Sequence, residues 1–122
     1  RKIMTTFISF TGNLAKAPEL RTDKNGRPYT FARVIRTDRV NKGGEFEDGG
    51  TEGYDVAVWG ADAEALCDIA ERCGNVRVHV AGEELLDTYT NDEGNTRTVR
   101  KVLDAEVTVS LRGQTVTVER RN

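Results

Sequence analysis

Histidine, cysteine and proline are scarce in this chain, and long apolar runs are absent. Its 122 residues include one His, two Cys and two Pro. Cys67 and Cys73 lie six apart in a stretch of helical period. At about 100° per residue they fall on different faces, roughly 9 Å apart along the axis, which suits a disulfide poorly. Two isolated thiols without a CxxC spacing fit a reducing compartment. One His and two badly spaced Cys cannot furnish four ligands, so no zinc site and no cofactor is expected. No run nears the roughly 18 apolar residues of a spanning helix, and no charged-then-apolar leader opens the chain, so no membrane partner is expected. The first residue is Arg1 rather than Met, as expected of a piece of a longer protein. GxSxG, P-loop, HExxH and dinucleotide fingerprints are all missing. The sole His79 falls in an alternating segment and reads as a structural or surface residue rather than a base. No carboxylate pair stands out for acid–base work, so no catalysis is expected.

What the chain does have is charge, unevenly spread. Its 18 Lys+Arg and 20 Asp+Glu leave a net charge of −2. Residues 1–42 hold ten bases against Glu19, Asp23 and Asp38, a net of +7, whereas residues 43–75 hold Arg72 against nine acids, a net of −8. Such asymmetry suits a basic surface for an anionic partner, or equally a solvated surface of mixed charge.

The dominant period is two. Tyr54, Val56 and Val58 alternate with Asp55, Ala57 and Trp59; Val76, Val78 and Val80 alternate with Arg77, His79 and Ala81. Both read as half-buried strands, and residues 5–12, 29–37, 85–90 and 97–109 read likewise. Residues 91–95, polar with a Gly, are a hairpin tip. A further alternating piece covers 115–118. Only residues 61–73 have helical period, with Asp62 as a cap and Gly74 as the C-terminal stop. Residues 41–53 contain five Gly and four acids around Phe46, and are expected to form a mobile loop. Many short strands with one helix predict an all-β fold, a small closed barrel of the oligonucleotide/oligosaccharide-binding (OB) type or a near relative.

Aromatics and cations on strands are the functional candidates. If the valine face is the core, Trp59 stands on the outer face, either as a stacking platform for an unpaired base or packed against the helix or a partner subunit. Tyr89 stands similarly at the end of its strand. Arg33, Arg36, Arg39 and Lys42 form a track along one strand and its exit, as a phosphate backbone requires. Phe46 is a candidate contact in its loop.

Gly12-Asn13-Leu14-Ala15-Lys16-Ala17-Pro18-Glu19-Leu20-Arg21 resembles the G-N-L-x-x-x-P-E-L-R signature of bacterial single-stranded DNA-binding proteins. The resemblance continues through the Asn25-Gly26 turn, Thr30-Phe31-Ala32, Val56-Ala57-Val58-Trp59-Gly60, Cys73-Gly74, Val78-His79-Val80-Ala81-Gly82 and Gly94-Asn95-Thr96-Arg97, covering about residues 5–109. It implies a five-stranded OB-fold barrel with one helix and an extra C-terminal strand over 110–119. It also implies a homotetramer, or at least a dimer, that binds single-stranded DNA without sequence preference in replication, repair and recombination, in the cytoplasm on the nucleoid. By position, Trp59 and Tyr89 match family stacking residues. Two further family Trp positions fall on Gly53, with Tyr54 adjacent, and on Val40. Tyr54 joins the stacking candidates, and Arg72, Arg97 and Arg100 the phosphate contacts. The family's acidic tail, which docks replication and repair proteins, is expected to lie outside this sequence, which stops at Glu119-Arg120-Arg121-Asn122. The rival reading is a related accessory or protein-interaction barrel with reduced DNA binding, favoured by the missing Trp pair and the acidic middle segment. A hydrolase on the same scaffold has no sequence feature in its favour.

Overall fold

Every alternating segment up to residue 109 becomes a strand, because period-two burial is satisfied only on a pleated sheet with one face inward. The computed structural model describes residues 6–42 and 45–120, without the side chains of 37–42 and 45–49. In chain order the elements are β1 (Thr6–Leu14), β2 (Arg21–Thr22), β3 (Pro28–Lys42), β4 (Glu45–Trp59), α1 (Ala61–Cys73), β5 (Arg77–Thr90) and β6 (Thr96–Val109). The sheet order is β1-β5-β6-β4-β3-β2, and β1 also pairs with β3, which closes five strands into a ring. Only the β4–β6 pairing is parallel. A closed five-stranded ring with one helix is the OB architecture expected from the sequence.

The core is the inward set of each strand: Phe10 and Leu14, Ala32 and Val34, Val56 and Val58, Val78 and Val80, and Val102. Ala63, Leu66 and Ala70 of α1 pack onto it at i, i+3 and i+7. Full burial of each larger side chain contributes about 1.5–3 kcal/mol. Gly60, not Asp62, is the N-cap. Asp62 lies with Glu64 inside the first turn, where carboxylates favour the helix dipole. Gly74 closes the other end, its N–H donating to the Ala70 carbonyl at 2.9 Å.

Ring closure depends on the signature segment. A Cβ on Gly12 would stand 2.6 Å from the Ile35 carbonyl oxygen and 2.8 Å from Val34 Cγ1, so only glycine lets β1 approach β3 this closely. Beyond it, Leu14 N–H donates to Val76 O at 3.0 Å and Ala15 N–H to Arg33 O at 2.9 Å. The chain then leaves the sheet, and the buried Thr30 hydroxyl holds the loop by donating to Glu19 O at 2.8 Å.

Two hairpin tips share one geometry. Asp23 Oδ1 accepts from the N–H of Asn25 and Arg27 at 2.9 and 2.8 Å, and Asn91 Oδ1 accepts from Glu93 and Asn95 at 3.0 Å each. Gly26 and Gly94 follow at i+3 with φ of 82° and 84°, a conformation that favours glycine.

Two sequence expectations are corrected. Residues 41, 42 and 45–53 are not loop but continue the β3–β4 ladder, past a register shift at Asp38/Arg39. Two paired strands satisfy each other's backbone groups whatever their glycine content. Residues 115–118 form no strand within the single chain. There the Gln114 amide takes the place of a ladder pair, accepting from Arg77 N–H at 3.1 Å and donating to Arg77 O at 2.8 Å. The chain leaves the sheet beyond it, and Val118 is 81 % exposed.

Candidate nucleic-acid interface

The outward side chains of β3 and β4 alternate with their core residues. Tyr29, Phe31 and Arg33 of β3 stand opposite Trp59, Ala57 and Asp55 of β4. The Trp59 and Tyr29 ring centroids are 5.0 Å apart at 31°, and Tyr29 meets Phe31 edge-on at 6.0 Å and 85°. Phe31 is 50 % exposed over its small cross-strand neighbour Ala57. The Asp23 turn brings Arg27 over the Trp59 ring, its Cζ 4.8 Å from the centroid. Gly60 N–H donates to Pro28 O at 2.8 Å and fixes the end of β4 beside the same turn. One sheet face thus carries three aromatic rings in a row.

The signature loop forms a wall beside this row. Lys16, Pro18, Glu19 and Arg21 face Tyr29, Phe31 and Arg33 across a cleft of about 360 Å³. Arg21 pairs loosely with Glu19 at 3.3 Å, both well exposed, and such a pair is worth little. Arg33 donates from Nη1 to Asp55 Oδ1 at 3.1 Å. Lys16 and Arg27 make no ion pair among the described residues. The cleft therefore joins the exposed Phe31 ring and the half-buried Tyr29 ring to Lys16, which has no close carboxylate among the described residues, and to Arg21 and Arg33, which have one each.

The profile of the Single-strand binding protein family matches residues 5–110. The chain belongs to this family. It is 34 % identical to single-stranded DNA-binding protein 2 of Streptomyces coelicolor over 115 residues, spanning 93 % of this chain and 57 % of that protein's length. With the single-stranded DNA-binding protein of Mycobacterium leprae it shares 32 % identity over 117 residues, covering 94 % of this chain and 68 % of that one. The crystal structure of the small single-stranded DNA-binding protein from Streptomyces coelicolor matches with a TM-score of 0.74, over 89 % of this chain and 97 % of that one. At 24 % identity that likeness bears on the fold.

Within the family frame, the residues singled out from sequence separate into groups. Trp59 and Arg33 lie on the outer face just described. Tyr89, 48 % exposed, stands opposite Arg97 on the β5–β6 arm. Tyr54 does not offer a ring face: it is 4 % exposed and its ring centroid is 4.4 Å from that of Phe10. Its parity with Val56 and Val58 sends it into the barrel. Arg100 lies between two carboxylates, with Nε 3.1 Å from Glu52 and Nη1 3.1 Å from Glu84. Glu52 first of all holds the Arg100 guanidinium above its ordinary pKa, so its charge is already matched. Arg72 pairs with Asp68 at 2.7 Å along α1 and does not line the cleft. Arg36 stands opposite Glu52 in the ladder. The side chains of Arg39, Lys42 and Phe46 lie outside the described residues.

The register also accounts for part of the uneven charge of the sequence. Arg33, Arg36, Arg39 and Lys42 stand opposite Asp55, Glu52, Asp48 and Glu45. Four of the ten bases of residues 1–42 and four of the nine acids of residues 43–75 are thus cross-strand partners in one hairpin. Sequence reasoning missed Tyr29, Phe31, Arg27, Lys16 and Arg21 as candidates. The Tyr29, Phe31, Arg33 alternation was a readable signal; the positions of Arg27 and Lys16 depend on turns that only the fold defines. Among the described residues no group of three His, Cys, Asp or Glu could hold a metal ion, and no helix is long and apolar enough to cross a membrane.

Proposed function

We propose that this chain binds single-stranded DNA without sequence preference, laying bases on Trp59, Phe31 and Tyr89 and passing phosphates along Lys16, Arg21, Arg27 and Arg97. The observation that carries the reading is the row of rings on the outer face of β3 and β4 beside Lys16 and Arg27, two cations without a close carboxylate among the described residues. Unpaired bases need π-faces and phosphates need cations along the same track, and duplex DNA hides its base faces. Every base has a π-face, so stacking of this kind tolerates any sequence. Membership of the single-strand binding protein family and the names of the relatives support the same reading. Such a protein covers strands exposed in replication, repair and recombination, and performs no chemistry on them.

The same proposal includes self-association into a homotetramer. Residues 6–12 of β1 pair with β5 on one side, while pairing to β3 begins only at Asn13. The second edge of β1 is therefore open in the single chain, with the exposed Phe7 beside it. Open strand edges invite pairing with another chain. Fluorescence anisotropy of labelled oligo-dT, oligo-dA and mixed 30-mers, with a duplex as control, tests the binding claim. Comparable affinity for all single strands and far weaker binding of duplex is expected; preference for duplex, or no binding at low salt, refutes it. Sedimentation equilibrium tests the tetramer.

A further inference from the structure

Arg33 occupies a place on the outer face that its charge does not explain. The guanidinium lies across Gly53, the residue opposite Ile35 on β4. A Cβ built on Gly53 would meet Arg33 Nη2 and Cζ, and Nε at 3.0 Å, as its three nearest atoms. The absence of a side chain at Gly53 thus makes the bed on which the guanidinium rests. Asp55, two residues along β4, fixes the orientation by accepting from Nη1 at 3.1 Å. The Arg33 side chain remains 42 % exposed and lines the cleft with Tyr29 and Phe31. Alternate residues of a strand are about 6.6–6.8 Å apart, so Arg33 is the next planar group in the row Tyr29, Phe31, Arg33.

We propose that Arg33 acts in this row as a stacking platform for a base, not as a phosphate contact. The inference rests on the reading of this face as a track for single-stranded DNA. A phosphate approaching Arg33 would also approach the Asp55 carboxylate, which already matches the guanidinium charge. A base has no such penalty. Guanidinium planes stack on bases as aromatic rings do, and Arg is suited to this by its planar, weakly hydrated head. Lysine at the same position would keep the charge and the Asp55 pair but lose the plane.

The test compares wild type, Arg33→Ala, Arg33→Lys and the double variant Arg33→Ala/Gly53→Trp, each titrated with labelled oligo-dT at several salt concentrations. Thermal melting of each variant confirms folding. Arg33→Ala and Arg33→Lys are both expected to lose affinity about five-fold or more, the lower end of the range for one stacked base, with the slope of log K against log salt unchanged. The double variant places a ring where the guanidinium lay, and recovers affinity. Wild-type affinity in Arg33→Lys, or a slope shallower by about 0.7 in Arg33→Ala, makes Arg33 a phosphate contact and overturns the inference while leaving DNA binding intact. No loss in either single variant overturns it as well. Failure of the wild type to bind oligo-dT removes the underlying reading instead.

Discussion

Replacing Trp59 by alanine removes the ring at the head of the outer-face row, and the structure sets the size of the effect. Arg27 covers the Trp59 ring in the free protein, at 4.8 Å. An exposed cation–π contact of this kind is worth about 0.5–1 kcal/mol. A base taking the place of Arg27 gains stacking of about 1–3 kcal/mol. The exchange is favourable, and its net value is about 0.5–2 kcal/mol when both contacts lie at the low or both at the high end of their ranges. Trp59→Ala should therefore weaken oligo-dT binding roughly two- to thirty-fold, at about 1.4 kcal/mol per tenfold. The slope of log K against log salt should not change, because no cation is removed. Trp59→Phe, which keeps a ring, should recover most of the loss. The variant also loses the Tyr29 contact, so its melting temperature should fall somewhat while it remains folded at 25 °C. Anisotropy of a labelled oligonucleotide is the suitable assay, since Trp59 is the only Trp of the chain. Unchanged affinity in a folded Trp59→Ala protein would falsify the placement of bases on this ring.

Other residues give sharper structural tests. Lys16→Ala should reduce the salt slope by about 0.7, one single-strand phosphate contact, whereas Arg100→Ala should leave it unchanged because Glu52 and Glu84 already match that charge; equal effects of the two would contradict the sorting of cations made above. Gly12→Ala pushes a Cβ to 2.6 Å from the Ile35 carbonyl oxygen, so chemical denaturation should show a loss of about 1–3 kcal/mol; stability within 0.5 kcal/mol, the rough range of surface changes, would mean that β1 and β3 can part at no cost. Asn91→Ala removes the acceptor for the Glu93 and Asn95 N–H groups, and hydrogen exchange at both amides should accelerate while the barrel core stays protected.

The helix over 61–73 was legible because one apolar stripe of helical period lies between two glycines, and all its signals are local. The valine alternations of β4 and β5 were legible for the same reason, and with them the barrel class. Tyr54 shows where local reading was set aside: its parity with Val56 and Val58 already pointed inward, and the structure buries it on Phe10. Arg100 could not be read locally, because its two carboxylates come from β4 and β5, 48 and 16 residues away in sequence. The glycine-rich stretch after Asn41 looked like a loop since glycine and acids disfavour strands; pairing with β3 overrides that preference. The same pairing sets four of the bases of residues 1–42 opposite four of the acids of residues 43–75, a matter of register that no composition count contains.

Trp59 is also the natural reporter for the central claim. Its intrinsic fluorescence should be followed while oligo-dT is added at low and at moderate salt, with a duplex of the same length as control. Strong quenching by the single strand alone, with a midpoint that shifts to higher DNA concentration as salt rises, is the result expected of a base stacked on Trp59 beside phosphate-binding cations. A fluorescence signal that stays flat while anisotropy reports tight single-strand binding, or equal quenching by duplex, would contradict the assignment of this face as the DNA track.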